Sequence, residues 1–112
     1  MTFQESLRTC LTQKYADFSG RASRSEYWWF ALAVVVVSLA VSAISETLGL
    51  LVNLALLLPS IAAAARRLHD TNRSGWWQLI ALIPILGAIV LIVFLALEGD
   101  AEDNRFGSKP VV

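Results

Sequence analysis

The sequence has little of what metal sites, disulfide frameworks and most catalytic centres use: it has one cysteine, Cys10, and one histidine, His69. A single cysteine excludes an internal disulfide framework, and we interpret Cys10 as an inert apolar contact. One His and one Cys supply too few ligands for a metal site. The formal net charge is zero, so bulk charge does not indicate nucleic-acid binding. We therefore expect no metal, no cofactor and no nucleic-acid partner.

Charge is scarce as well as balanced. Charged residues make up 16 % of the chain and apolar residues 56 %, against about 25 % and about 45–50 % in soluble domains. Three long apolar runs carry no charge at all, at residues 27–45, 47–65 and 76–97. About 20 apolar residues of helix cross a ~30 Å hydrocarbon core, and a soluble core helix would show a polar stripe that these runs lack. The runs predict an all-α membrane protein with three transmembrane helices in a single domain, residues 1–112.

The interior of the predicted spans also lacks ionisable groups. No Asp, Glu, Lys, Arg or His lies inside any of them. Proton-coupled carriers usually place such a group near the membrane midplane, so its absence counts against that class. The few polar side chains in the spans, such as Ser38 and Asn53, are interpreted as interhelical contacts. Pro84 removes a backbone hydrogen bond from the third span and Gly87 follows one turn later, so we expect a kink there.

The positions of Lys and Arg predict the orientation. The turn between the first two spans carries neither residue, whereas the N-terminal segment 1–26 and the loop 66–75 carry most of them. By the positive-inside rule, both of these segments are cytoplasmic. Three spans then place the tail, residues 98–112, in the periplasm. The sequence therefore predicts a multi-pass protein of the bacterial inner membrane with its N-terminus inside and its C-terminus outside.

Apolar residues recur at helical spacing in the first twenty residues. We interpret the pattern as a short amphipathic helix that lies in the cytoplasmic interface. Packing of the same helix against the bundle is the alternative. The predicted stripe consists of Phe3, Leu7, Leu11, Tyr15 and Phe18.

Two polar clusters, residues 20–26 and 66–75, flank the spans at the predicted cytoplasmic interface. Each is followed by aromatic residues of the kind that anchor helices at membrane interfaces. Because unpaired charges are costly at a partly dry interface, we expect the clusters to touch and to clamp the first span to the loop. The expected ion pairs join Arg21 or Arg24 to Asp70, and Glu26 to Arg66 or Arg67.

The basic residues of these clusters form a candidate binding site. Arginines at a cytoplasmic helix end suit an anionic lipid headgroup or a phosphate-bearing ligand; the alternative is that they only determine topology. His69 and Asp70 suggest acid–base chemistry, but adjacent residues on a helix do not aim at one point, so we assign no catalytic residue. The candidate ligand-binding residues are Arg21, Arg24, Arg66, Arg67, His69 and Arg73.

Three motifs lie in order along the chain: residues 20–28 read GRASRSEYW, residues 66–77 read RRLHDTNRSGWW and residues 104–110 read NRFGSKP. From about Phe18 to Pro110 the chain resembles the small bacterial inner-membrane proteins grouped as domain of unknown function 805. The resemblance implies a multi-pass membrane protein and no particular reaction. Ser108 departs from the pattern, since proline more often follows the glycine. Beside the candidate ligand-binding residues, the motif residues are Glu26, Tyr27, Trp28, Asp70, Ser74, Gly75, Trp76, Trp77, Asn104, Arg105, Phe106 and Gly107.

We expect a non-enzymatic membrane component that binds lipid headgroups or a protein partner through its cytoplasmic face. The first alternative is a subunit of an oligomeric transporter or channel, since three helices do not easily enclose a path. The weaker alternative is an enzyme that acts on lipid at the interface through His69 and Asp70. These hypotheses allow three kinds of partner: membrane lipids, a second copy of the chain, or another membrane protein.

Overall fold

The computed structural model describes residues 2–107 and Pro110; Ser108, Lys109 and the last two residues of the predicted tail lie outside the described residues. The described part is helical, as predicted, and holds no strand beyond an isolated bridge in the tail. Its elements in chain order are α1 (Phe3–Arg8), a π-helical segment (Thr9–Gln13), α2 (Arg24–Ile44), α3 (Glu46–Asp70), a 3₁₀ helix (Gly75–Leu82) and α4 (Leu86–Ala96).

Helix α1 begins with a reciprocal cap. The Thr2 hydroxyl accepts from the Glu5 backbone N–H at 3.2 Å, and the Glu5 carboxylate accepts from the Thr2 N–H at 3.2 Å. These hydrogen bonds from Thr2 hold the pKa of the Glu5 carboxyl below its usual range. The cap satisfies two of the backbone donors that a helix start leaves open.

The N-terminal helix packs against the bundle by a face that the predicted stripe does not describe. Its buried residues are Ser6 and Cys10, and Cys10 packs with Phe30 and Ala63, with Leu7 beside them. The other members of the stripe, Phe3, Leu11, Tyr15 and Phe18, are exposed. Small side chains allow the close approach to α2, and most of the apolar stripe lies outside this contact. Location in the interface stays a prediction.

Helices α2 and α3 form an antiparallel hairpin. Ser45 ends α2 and also begins α3, where its hydroxyl accepts from the Leu48 N–H at 3.3 Å. Gly49 makes the tight crossing, because a Cβ there would lie 2.4 Å from the Ser42 hydroxyl oxygen. The 21 and 25 residues of these helices correspond to about 31 and 37 Å. Both helices are long and apolar enough to cross a membrane.

The surface of this hairpin is apolar and open. Leu39, Leu50 and Leu54 are all more than half exposed, with Leu39 at 69 %. A soluble core helix would bury such residues, whereas a lipid-facing helix exposes them. Helix α3 also continues to Asp70, five residues beyond the predicted span. The predicted loop 66–75 therefore begins as helix, and only residues 71–74 are non-helical.

The third predicted span, residues 76–97, is not confirmed as a span. The 3₁₀ helix runs away from the end of α3 and stops at Leu82; Ile85 then takes a φ of 63°, and α4 runs back. Gly87 permits the reversal, since a Cβ there would lie 1.7 Å from the Ile80 carbonyl oxygen. Each arm is about 16 Å long, roughly half of a ~30 Å hydrocarbon core. The kink expected at Pro84 is a complete reversal of direction.

The reversal places the tail beside the N-terminal segment. The guanidinium of Arg21 donates to the backbone carbonyls of Asp100 at 2.7 Å, Glu102 at 2.9 Å and Gly107 at 3.2 Å. The prediction that the tail and segment 1–26 lie on opposite sides of the bundle is therefore wrong, because it assumed that the third apolar run crosses. We call this common end, formed by residues 21–26, 66–74 and 98–107, the polar end.

Candidate functional site

The polar end contains a buried charge network around Asp70. One carboxylate oxygen of Asp70 accepts from Arg21 Nε at 2.9 Å and the other from Arg67 Nη1 at 2.6 Å. Both guanidinium groups and the carboxylate are at least 94 % buried. The first predicted ion pair, between Arg21 and Asp70, is confirmed.

The second predicted ion pair is confirmed as well. Arg66 donates to the Glu26 carboxylate through Nη1 and to the Asp17 carbonyl oxygen through Nε at 3.1 Å. Its remaining nitrogen, Nη2, lies 3.9 Å from the sulfur of Cys10. Burial raises the pKa of the Cys10 thiol, an effect that the nearby Arg66 charge opposes. This arginine thus joins the ends of α2 and α3 to the N-terminal segment.

Arg67 joins the returning hairpin to the same network. Its Nε donates to the Leu95 carbonyl oxygen at 2.9 Å, and its Nη2 donates to the Leu97 carbonyl. The indole N–H of Trp28 donates to the Leu95 carbonyl at 3.2 Å. The last carbonyls of a helix have no partner within it and carry partial negative charge. A buried cation and an indole satisfy them at the end of α4.

The tail motif folds onto the end of α3. Asn104 and Gly107 exchange backbone hydrogen bonds of 3.1 Å, which close a turn that presents Phe106. The Phe106 ring stacks on the His69 imidazole with centroids 3.9 Å apart and planes within 2°. The Asn104 amide donates to the His69 carbonyl at 2.9 Å, and Arg105 donates to the Asn72 carbonyl at 3.2 Å. The tail is therefore an integral part of the polar end.

The partner of the His69 ring fixes its tautomer. Nδ1 lies 2.8 Å from the Gly20 carbonyl oxygen, which can only accept, so Nδ1 carries a proton. Gly20 has a φ of 79°, a conformation that suits glycine. The ring is thereby held between residue 20 and Phe106. Of the two residues considered for acid–base chemistry, His69 binds backbone and Asp70 binds two arginines.

The candidate ligand-binding residues divide into two groups by burial. Arg66 and Arg67 are 0 % exposed, and Arg21 and His69 are buried beside them. Every nitrogen of these three guanidinium groups has a partner in the protein, and no buried side-chain N or O of the described residues lacks one. By contrast, Arg24 is exposed, and Arg73 is half-buried with its guanidinium 4.3 Å from the centroid of Phe94. Ligand binding by this set stays a prediction.

An open cleft of about 340 Å³ lies beside the network. Arg24 contributes the positive charge to its wall and Glu98 and Asp70 the negative charges. No group of three or more His, Cys, Asp or Glu in residues 2–107 is arranged to hold a metal ion. The cleft is lined by Ser23, Arg24, Ser25, Asp70, Glu98, Gly99 and Pro110.

The sequence singled out the tail motif and predicted it in the periplasm, but it indicated no role for it. Two signals in the sequence pointed to the polar end. Pro84 and Gly87 mark the reversal in the third run, and Arg105 and Lys109 are basic residues of the tail that three spans would leave outside. These signals predicted only a kink within a span, because length and hydropathy do not distinguish a span from a hairpin of the same length.

These features define a small helical membrane protein. They are two helices long and apolar enough to cross a membrane, a shorter apolar hairpin and a buried charge network at one end. The chain belongs to the family described as protein of unknown function (DUF805), whose model matches residues 15–108. The chain is 45 % identical over 105 residues to inner membrane protein YhaI of Escherichia coli (strain K12), covering 88 % of this chain and 89 % of the relative.

A second relative in the same organism, inner membrane protein YhaH, is 37 % identical over 109 residues, which cover 88 % of this chain and 90 % of the relative. A third, the uncharacterized protein YiiR, is 35 % identical over 73 residues, 60 % of this chain and 50 % of the relative. No solved structure matches the chain. The predicted family is confirmed, and the chain is a small inner-membrane protein whose relatives carry no named activity.

Proposed function

We propose that this protein is a non-enzymatic component of the inner membrane that binds anionic lipid headgroups at its polar end, which faces the cytoplasm. The observation that carries the proposal is the division of its arginines. Arg21, Arg66 and Arg67 are bonded inside the protein, whereas Arg24 and Arg105 are exposed and Arg73 is half-buried. The first group builds the end of the bundle, and the second group is available to phosphate.

The orientation rests on where the basic residues lie. The turn between α2 and α3, at Ser45 and Glu46, has no Lys or Arg, and all nine of these residues belong to the N-terminal segment, the region 66–73 or the tail. With two spans and a hairpin that returns, all three regions lie on one side. The positive-inside rule then makes that side cytoplasmic. This topology leaves no Lys or Arg outside, whereas three spans would leave the basic residues of the tail there.

Tryptophans set the depth of the exposed arginines. All four tryptophans of the chain lie near the polar end, within the first six residues of α2 or the first three of the 3₁₀ helix. Trp29 and Trp77 are more than one-third exposed, and Trp76 is 78 % exposed. Exposed indoles concentrate at the membrane–water boundary. Arg24 and Arg73, next to these rings in sequence, then lie at headgroup level, where each basic residue contributes about 1 kcal/mol toward an anionic surface.

The tryptophans also supply the experiment. Purified protein is reconstituted in phosphatidylcholine with a fixed fraction of brominated lipid, either phosphatidylglycerol or phosphatidylcholine, and quenching of the intrinsic fluorescence is measured. We expect brominated phosphatidylglycerol to quench more strongly in wild type. The triple variant R24Q/R73Q/R105Q is expected to remove that preference while the network of Arg66 and Arg67 stays intact.

The matched control keeps the charge. In R24K/R73K/R105K the preference for phosphatidylglycerol should persist, because Lys and Arg are attracted to an anionic surface to a similar degree. High salt should weaken the preference in wild type, since these groups are exposed. Equal quenching by both lipids in wild type, or an unchanged preference in the glutamine variant, would rule out headgroup binding by these arginines.

A further inference from the structure

Asn53 is a polar side chain on the lipid-facing surface of α3. It lies seven residues from Glu46, or about 10 Å along the helix, and thus inside the hydrocarbon layer that α3 crosses. The side chain is exposed. Its one hydrogen bond in the described part of the chain is from the Ser38 hydroxyl to Asn53 Oδ1, at 2.7 Å.

This contact uses only one end of the amide. A primary amide offers two N–H donors and an oxygen with two lone pairs. If the oxygen and nitrogen positions were exchanged, the Ser38 hydroxyl would instead accept and the oxygen would be left over, so one end stays open in either assignment. Water is absent from the hydrocarbon core, where a polar group without a partner is costly. A hydrogen-bonding partner from outside the chain at this depth would remove that cost.

We propose that the partner is Asn53 of a second copy, and that the two amides exchange hydrogen bonds across a two-fold axis along the membrane normal. An amide is self-complementary, since each copy offers both a donor and an acceptor. A two-fold axis places identical residues at identical depth, so a second copy supplies a polar group at the level where one is needed.

The surface around Asn53 suits such a contact. Leu50 and Leu57 lie one turn to either side of Asn53 on α3 and are each more than half exposed. Two copies that bring their Asn53 amides together also bring these leucines into contact. The interface lies in the membrane and does not depend on headgroup binding at the polar end, so the two proposals can fail separately.

The first test is the oligomeric state of the full-length protein in lipid bilayers. Fluorescently labelled protein is reconstituted over a range of protein-to-lipid ratios, and copies per spot are counted by stepwise photobleaching. Wild type should pass from one to two copies as density rises. N53L should lower the association constant by roughly tenfold or more, the size that two interhelical hydrogen bonds give in membranes.

Two variants distinguish an effect on the interface from an effect on the packing of α2 against α3. S38A removes the internal partner but leaves the Asn53 amide, and it should associate at least as well as wild type. N53Q retains the amide and should recover part of the association lost in N53L. A wild type that stays monomeric at every density, an N53L variant that associates like wild type, or an S38A variant as defective as N53L would each overturn the proposal.

Cysteine cross-linking tests the geometry directly. Cys10 is replaced by alanine, and a single cysteine is introduced at Leu57, on the Asn53 face, or at Leu51, about 160° away around the helix. Both positions are exposed to a similar degree. Oxidation should give a covalent dimer with L57C and little with L51C. Equal cross-linking at both positions would show random collision and would contradict a defined interface.

Discussion

The Nε of Arg67 donates to the Leu95 carbonyl oxygen at 2.9 Å, so a buried guanidinium of α3 holds the last turn of α4. This contact fixes the returning hairpin to a helix that is long enough to cross the membrane. The same guanidinium binds Asp70, which is also bound by Arg21. One ion cluster therefore joins the N-terminal segment, the end of α3 and the hairpin.

Replacing Arg67 is expected to destabilise the protein strongly. In R67M the carbonyls of Leu95 and Leu97 lose a buried donor and Asp70 keeps only one of its two arginines. Breaking a buried ion pair from one side costs about 3–5 kcal/mol. Unfolding by SDS in mixed micelles, followed by tryptophan fluorescence, would measure the loss. The exposed arginine gives the control, since R24M should change stability by less than about 0.5 kcal/mol. Similar effects of the two variants would mean that the network does not stabilise the fold.

The C-terminus is expected to be cytoplasmic, because the tail and segment 1–26 meet at Arg21 and one membrane side must hold both. A fluorescent protein fused after the last residue should fluoresce, and alkaline phosphatase fused at the same point should stay inactive. A phosphatase fusion in the turn at Ser45 and Glu46 is the control and should be active. Active phosphatase at the C-terminus would support three spans and contradict the return of the chain through the 3₁₀ helix and α4.

Removing one ring is expected to release the tail. Phe106 stacks on His69, and aromatic pairs contribute about 0.5–1.5 kcal/mol beyond their buried area. In F106A, backbone amides of residues 100–107 should exchange hydrogen for deuterium faster, while those of α3 should not change. D103N alters an exposed residue of the same tail and should leave exchange as in wild type. Unchanged exchange in F106A would mean that the hydrogen bonds of Arg21, Asn104 and Arg105 hold the tail without the ring stack.

The sequence was sufficient for the features that depend on hydropathy and charge. The two helices long and apolar enough to span a membrane, the family and the contact between the two arginine clusters could be predicted, because uncharged runs and buried charges each have few physical solutions. The ion pairs of Arg21 with Asp70 and of Arg66 with Glu26 could be predicted because a buried charge requires a partner of opposite charge. The burial of these arginines could not be predicted from the sequence. A basic residue at a helix end gives the same sequence pattern whether it faces lipid phosphate or a carboxylate of its own chain.

The features that the sequence did not indicate have a common physical origin in close packing. The hairpin of the 3₁₀ helix and α4 depends on the contact of Gly87 with the Ile80 backbone, and the packing of the N-terminal helix depends on Ser6 and Cys10 fitting against α2. Small residues carry little hydropathy signal, so neither contact could be predicted from the large apolar residues. The position of the tail depends on whether the chain crosses the membrane a third time. It could therefore not be predicted without the hairpin of the 3₁₀ helix and α4.

Cys10 is expected to react slowly with a maleimide in the folded protein. The thiolate is the reactive form, and burial raises the pKa of this thiol. Labelling near pH 7.5 should be slow in detergent micelles and become fast on unfolding in SDS. The matched control places the cysteine one residue on, at an exposed position, as C10A/L11C, and should label rapidly in the folded state.

The same pKa direction predicts a dependence of stability on pH. The neutral thiol is favoured in the folded protein, so the contribution of Cys10 is fully present below the thiol's ordinary pKa of about 8.5. It is lost as pH rises from there through the raised folded value, because the unfolded chain releases the proton more readily. Between pH 8 and pH 10, wild type should therefore lose more stability than C10A, as measured by SDS unfolding at each pH. Parallel pH profiles for the two proteins, or rapid labelling of folded wild type, would show that Cys10 is not held against Phe30 and Ala63 as described.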